Sequence, residues 1–339
     1  QNMQNFWNLC LLLLVVVAVV DAQQCATTGG CILNTPNNAN VPSDPYVVSD
    51  VTEDDTCTPF NKFLRVYGLL LVSDPSGQNL PENTLKWIAH AVTELFPASA
   101  SDVDLQKKVI EAMYRYRAAL PVFQSNVMSS GPLDTKLSMC DIITIGGENR
   151  GNPDGQIMEV YEHIIHAVTD VGLHHALPSD WGVVTGTRIH AAMREAVDKG
   201  VYSAADYASI PDEGERTRVE IQEFAYWALS TVQGMHSLFF KGSAAPEWTL
   251  TAAAEVKSQL PVFWELHERT TAKILGVIST ATLTQVGKLQ GTEADPEAAQ
   301  WPILAVGRGD VSGDPLGNSD SPCLALGTTN GDCNIVTAG

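Results

Sequence analysis

The residues best suited to chemistry lie in one stretch, from residue 159 to 175, where acids and histidines recur at helical spacing. Read as a helix, this stretch places Glu159, Glu162, His163, His166 and Asp170 at offsets of 0, 3, 4, 7 and 11. Side chains three and four residues apart are neighbours on a helix, so these groups share one face. Such a face is typical of a metal site or an acid–base site. A separate apolar surface is formed by Ile157, Val160, Ile164, Ala167, Val168 and Val171.

Glu162 and His166 are four residues apart, the spacing at which two side chains of one helix grip a single metal ion. The zinc motif His-Glu-x-x-His has this spacing, but here its first two letters are exchanged. His163 therefore stands where that motif keeps its general base. A third ligand must come from another segment, and we predict Glu223, with Glu220 as the other candidate. In an enzyme, His163 or Glu220 would act as the catalytic base. The remaining candidates, as ligands or as their hydrogen-bond partners, are Asp170, His174 and His175.

Other interpretations of this face stay open. Acids and histidines on a solvated helix form pairs that stabilise the helix by only about 0.2–0.5 kcal/mol each and need no metal. Two histidines and one carboxylate with open positions also form the facial triad of non-haem iron, which activates oxygen. The residues therefore allow a zinc-dependent hydrolase, an iron-dependent oxygenase (including a light-emitting one), or a non-catalytic extracellular matrix or adhesion protein.

Composition narrows the range of partners. The chain has 339 residues, of which 45% are hydrophobic and 17% charged, which predicts a globular protein. Its formal net charge of −19 argues against nucleic acid, whose phosphates need a basic surface. The same charge argues against binding to anionic membranes. A small-molecule or peptide substrate remains, together with a divalent transition metal, zinc or iron, as cofactor.

The first residues predict export. Leu9 to Val20 form an apolar run that ends in small residues, which fits a secretory signal peptide cleaved after Ala22. Beyond it lie six cysteines, an even number that indicates up to three disulfides in a secreted, extracellular protein. Three of them, Cys25, Cys31 and Cys57, fall in an irregular N-terminal arm. Cys140 lies further along the chain, and Cys323 and Cys333 lie near its end.

The remaining pattern predicts a mainly helical α+β protein with a small sheet and disulfide-stapled termini. We divide the chain into a signal peptide (1–22), the irregular arm (23–58), a mainly helical core domain (59–282) and a loop-rich C-terminal extension (283–339). Apolar periodicity predicts strands and helices within the core. The predicted strands span 60–73 and 136–145, and the predicted helices span 81–96, 102–120, 156–173, 185–199, 218–240, 248–260 and 262–278.

Three segments together resemble an uncharacterised family of exported proteins from marine bacteria and some eukaryotes. They are FNKFLRVYGLLLVSD, MEVYEHIIHAVTDVGLHHALPSDWG and QEFAYWALSTVQG, and the resemblance spans roughly residues 57 to 280. A weaker resemblance is to zincin metallopeptidases, which carry His-Glu-x-x-His on one helix and a Glu followed by Phe-Ala on another. It implies a zincin-like helical core. The matching positions are Glu162, His163, His166 and Glu223, followed by Phe224 and Ala225. The exchange at Glu162 and His163 displaces the carboxylate that activates water in that family.

Overall fold

The computed structural model describes residues 31–53, 60–73, 80, 82–124, 137–149, 151–240 and 244–289. The predicted signal peptide, four of the cysteines (25, 57, 323 and 333) and nearly all of the predicted C-terminal extension lie outside these residues. Within them the protein is a mainly helical α+β fold with a small sheet, which confirms the predicted fold class. None of the helices in these ranges is long and apolar enough to cross a membrane.

Within the described residues the sheet has five strands, β1 (Thr52–Glu53), β2 (Lys62–Val66), β3 (Leu69–Ser73), β4 (Ala119–Gln124) and β5 (Ile143–Ile145), in the order β1-β2-β3-β4-β5. The pairs β1–β2 and β2–β3 are antiparallel, whereas β3–β4 and β4–β5 are parallel. Gly68 makes the tight β2–β3 turn possible, because its φ is +85° and a side chain there would lie 2.7 Å from the Ile110 carbonyl oxygen.

Helices make up most of the described chain. A π-helical turn, Val168–Leu173, joins the helix Pro153–Ala167 to the helix His174–Ala176, so the central helix runs without a break from Pro153 to Ala176. A second π-helical segment, His236–Phe240, follows the helix Glu213–Val232. The helices are α1 (Glu82–Leu95), α2 (Val103–Arg115), α3 (Pro153–Ala167), α4 (His174–Ala176), α5 (Pro178–Trp181), α6 (Arg188–Asp198), α7 (Glu213–Val232), α8 (Ala253–Gln259), α9 (Pro261–Arg269), α10 (Thr271–Ile274) and α11 (Thr280–Gly287).

The ends of several predicted helices are wrong. The helix predicted over 102–120 stops at Arg115, and Arg117 adopts a left-handed φ of +53° that redirects the chain into β4. A short apolar run reads alike as helix or strand, and here pairing with β3 and β5 makes residues 119–124 a strand. The helix predicted over 218–240 starts earlier, at the Asp212 cap, and ends at Val232 before Gly234 takes a φ of +77°.

The central helix α3 lies at the middle of the fold. It packs against β4 and β5 on one side and against α7 and α11 on others. Asn152 caps its first turn by accepting a hydrogen bond from the Gly155 amide, and Pro153 occupies the first helical position, where no amide hydrogen is needed. The predicted apolar surface is buried throughout. Burial on nearly every side places His163 and His166 in the interior and leaves the acids Glu159 and Glu162 only partly exposed.

Candidate metal centre

Three side chains converge between α3 and α7. Glu162 and His166 come from α3 and Glu223 from α7, and one possible ligand atom of each lies within 4.8 Å of the other two. His166 Nε2 is 3.7 Å from Glu223 Oε2. Ligands bound tetrahedrally at about 2.1 Å from a zinc ion are about 3.5 Å apart, so small side-chain rotations bring the three groups to bonding distance. These are the three residues that the sequence predicts as metal ligands.

His166 is held in the form that a metal ligand requires. Its side chain is fully buried, and its Nδ1 lies 2.6 Å from Asp141 Oδ2 and 2.9 Å from Gln222 Nε2. Because the pKa of Asp141 is held below its usual value, the carboxylate is ionised and can only accept, so in the shorter of these contacts Nδ1 carries the proton and donates it to Asp141. The other ring nitrogen, Nε2, is buried without a hydrogen-bond partner among the described residues. Burial lowers the pKa of His166, although Asp141 opposes the shift. The ring is therefore neutral, with its free lone pair directed at the carboxylates, as in a carboxylate–histidine–metal arrangement.

A chain of buried polar groups fixes Asp141 in turn. Gln222 Nε2 donates to Asp141 Oδ2 at 3.1 Å, and Gln222 Oε1 accepts a hydrogen bond from Arg218. Arg218 Nη1 also donates to Asp170 Oδ2 at 2.7 Å. Asp170 lies in the π-helical turn after α3, whereas Gln222 and Arg218 lie on α7. The network therefore ties the two ligand-bearing helices together one turn away from the ligands themselves.

His163 is engaged through both ring nitrogens. Its Nε2 lies 3.1 Å from Asp141 Oδ1, and its Nδ1 lies 2.6 Å from the Glu159 carbonyl oxygen. Burial by itself would lower the pKa of His163, but the charges of Asp141 and Glu159 outweigh it and raise that pKa well above its usual value. Both neighbours accept hydrogen bonds, so the ring is an imidazolium. A base needs a free lone pair, which this geometry does not give His163.

The two carboxylates of the cluster oppose each other's ionisation. Burial raises the pKa of Glu162, and nearby acids including Glu159 add to the shift against the attraction of His163. Burial also raises the pKa of Glu223, and the charges of Glu162 and Glu247 raise it further. Two acids this close cannot both ionise easily unless a cation lies between them. Tyr226 donates its hydroxyl hydrogen bond to Glu162 and packs edge-on against His166, with ring centroids 5.8 Å apart.

The other predicted candidates lie elsewhere. Glu220, one turn before Glu223, is 4.0 Å from Arg216 and does not belong to the cluster, which leaves it poorly placed as a base. His174 Nδ1 accepts from the Val183 amide at 3.0 Å. His175 stacks on the Tyr116 ring, with centroids 3.3 Å apart.

Sequence reasoning missed Asp141, Gln222, Arg218 and Glu247. Asp141 gave one signal, a lone acid inside the apolar run KLSMCDIITI. Glu247 gave none, because its segment joins the site only through the tertiary fold. Its Oε1 accepts a hydrogen bond from the Tyr207 hydroxyl at 2.5 Å.

Comparison with known protein families finds no matching family model, and no curated protein or solved structure matches the chain. Function therefore rests on the chemistry of this site.

Proposed function

We propose that this chain is an exported metal-dependent enzyme in which Glu162, His166 and Glu223 bind one divalent transition metal ion. The observation that carries the proposal is the state of His166, a neutral ring fixed by Asp141 with a buried, unpartnered Nε2. Such a nitrogen is costly to bury, because a polar atom without a partner loses its hydration. A metal bond at Nε2 removes that cost and explains why Nδ1 is anchored to a carboxylate.

The donor set favours a borderline metal. One imidazole nitrogen and two carboxylate oxygens suit zinc, ferrous iron or manganese, whereas calcium and magnesium prefer oxygen alone. The two ligand carboxylates also balance the charge of a divalent ion. Both are only partly buried, unlike His166, so the side of the cluster away from His166 is the side that water or substrate reaches.

Hydrolysis is the chemistry we assign to this centre. Glu162, His166 and Glu223 would hold the ion through three donors, and the ion would supply a bound water whose pKa is lowered to near neutrality. We assign the role of proton acceptor to Glu247, because His163 is protonated and Glu220 is paired with Arg216. Glu247 is near enough to raise the pKa values of both Glu162 and Glu223, and Tyr207 orients its carboxylate. The site thus departs from zincins, in which the base follows the first ligand on the same helix.

An oxygenase is the second candidate. The donors also bind ferrous iron, and aromatic rings enclose the ligand histidine: Tyr226 contacts His166, and Tyr161 lies 6.4 Å from Tyr226. An apolar surrounding of this kind suits the activation of molecular oxygen. The facial triad, however, has two histidines and one carboxylate, the reverse of the ratio here.

Export is part of the proposal. It is supported by the apolar run from Leu9 to Val20 and by the disulfide between Cys31 and Cys140, because disulfides persist mainly in oxidising compartments.

The test is elemental analysis of the purified protein, followed by a matched pair of variants on α7. We expect close to one equivalent of zinc or iron per chain; zinc favours the hydrolase and iron the oxygenase. Glu223→Gln should lose the metal, because it removes an anionic donor, whereas Glu220→Gln, one helical turn away, should retain it. Equal metal content in Glu223→Gln and Glu220→Gln would refute the proposed ligand set.

A further inference from the structure

The backbone that carries Asp141 is not part of the sheet. Residues 139–142 lie between an isolated bridge at Ser138 and the start of β5 at Ile143. Regular strand pairing therefore does not fix the position of the Asp141 carboxylate. Yet that carboxylate orients His166 through a 2.6 Å contact between Asp141 Oδ2 and His166 Nδ1. It must be placed to within a fraction of an ångström for the ring to face the cluster.

The N-terminal segment supplies the missing anchors. Cys31 forms a disulfide with Cys140, the residue immediately before Asp141, and its carbonyl oxygen accepts a hydrogen bond from the Met139 amide at 3.1 Å. Two residues further on, the Leu33 amide donates to Ser138 Oγ at 3.0 Å. The segment from Cys31 to Leu33 thus contacts three successive residues, 138 to 140, directly before Asp141.

We propose that the Cys31–Cys140 disulfide is a positioning element of the metal centre, holding Asp141 where its carboxylate keeps His166 ready to bind a divalent ion. The inference rests on the metal site proposed above and deepens it. Apolar packing of Met139 and Ile142 beneath the sheet is the competing anchor. If that packing were sufficient, the disulfide would stabilise the fold without affecting the metal.

The coupling gives the centre a dependence on redox conditions. A dithiol reductant would cleave the disulfide by thiol–disulfide exchange: it gives up two electrons and two protons and becomes a disulfide itself, while Cys31 and Cys140 become thiols and residue 140 is freed from residue 31. Metal affinity then falls because the orienting carboxylate loses its fixed position, while all three ligands remain in the chain. An oxidising compartment would keep the centre assembled.

The experiment measures zinc affinity of the full chain by competition with a chromophoric chelator. The variant Cys31→Ser with Cys140→Ser removes the disulfide without leaving thiols that would themselves bind zinc. We expect its affinity to fall about tenfold or more, the range found when a partner of a metal ligand is lost. In an Asp141→Asn background, the same pair of substitutions should cause no further loss, because the disulfide acts through Asp141. Val256→Ala, in the buried core of α8, controls for general destabilisation and should bind zinc as the wild type does.

Ser138→Ala provides a second, milder variant should the double-serine protein fail to fold. It keeps the disulfide but removes the Ser138 hydroxyl that Leu33 and Tyr116 engage, so it should weaken zinc binding in the same direction. Two results would overturn the inference while leaving the metal site intact. One is a folded, disulfide-free variant that binds zinc as tightly as the wild type. The other is a loss of zinc affinity on removing the disulfide that is as large in the Asp141→Asn background as in the wild type. A wild-type chain that binds no zinc, iron or manganese would overturn both.

Discussion

Replacing Asp141 by asparagine is the sharpest test of how the centre is built. The Asp141 carboxylate is almost completely buried and has four partners: His166 at 2.6 Å, His163 at 3.1 Å, Gln222 at 3.1 Å and the Ile142 amide at 2.9 Å. Asparagine preserves the shape but removes the charge and one acceptor. The substitution therefore leaves the imidazolium of His163 buried without its counter-ion and leaves His166 without the acceptor that fixes its tautomer.

The structure sets the size of the effect. Breaking a buried ion pair from one side costs about 3–5 kcal/mol of the free energy of unfolding. The pKa of His163 is raised in the folded protein. Its contribution to the free energy of unfolding is therefore complete below about pH 6.5, the ordinary pKa of histidine, and is lost as the pH rises through the folded-state pKa. Burial opposes ionisation of Asp141, but His163 and His166 hold its pKa below the usual value, so its contribution is complete above about pH 4. The loss should therefore be greatest between about pH 4 and 6.5.

Urea unfolding followed by circular dichroism at pH 5.5, with and without zinc, measures both consequences. The wild type should be more stable than Asp141→Asn by at least about 3 kcal/mol, and the variant should bind zinc about 10–100-fold more weakly. Asp180→Asn is the control, because Asp180 pairs with Arg269 on the surface and should cost at most about 1 kcal/mol. If Asp141→Asn and Asp180→Asn lose the same free energy of unfolding, and zinc affinity is unchanged in both, the proposed role of Asp141 is refuted.

Three further outcomes follow from the same geometry. Because the pKa values of Glu162 and Glu223 are raised, metal binding should displace protons from them, and apparent zinc affinity should rise with pH from about 5 towards 8. Calorimetry in two buffers of different ionisation enthalpy counts the released protons, and the Glu162→Gln variant should release fewer. Tyr226→Phe should weaken zinc binding about tenfold or more by removing a charge-assisted hydrogen bond to Glu162, and chelator competition should show no change if that bond is unimportant. In cobalt-substituted protein, Glu247→Gln should retain the metal but alter the pH titration of the visible spectrum; a titration identical to wild type would exclude Glu247 as proton acceptor.

The ligands on α3 were predictable from the sequence because helical spacing is local. Glu162 and His166 are one turn apart, so forming the helix is enough to bring them together. The position of Asp141 was not predictable, because it lies 25 residues before His166 and 81 before Gln222. No local pattern records such separations. The same reason explains the wrong end of the helix predicted over 102–120, since only the neighbouring strands make its last residues a strand.

Charge balance within the cluster gives an independent reason to expect a divalent ion. Asp141 is paired with the imidazolium of His163, and Asp170 is paired with Arg218. His166 is neutral, so it does not balance the charge of either carboxylate. Glu162 and Glu223 therefore remain as two partly buried acids whose charges no described side chain at the site balances, and both have raised pKa values. A structural network would gain by replacing one of these acids with an amide, since unpaired buried charge is destabilising. Two ionisable acids beside a free imidazole nitrogen make energetic sense when an ion of charge +2 joins them.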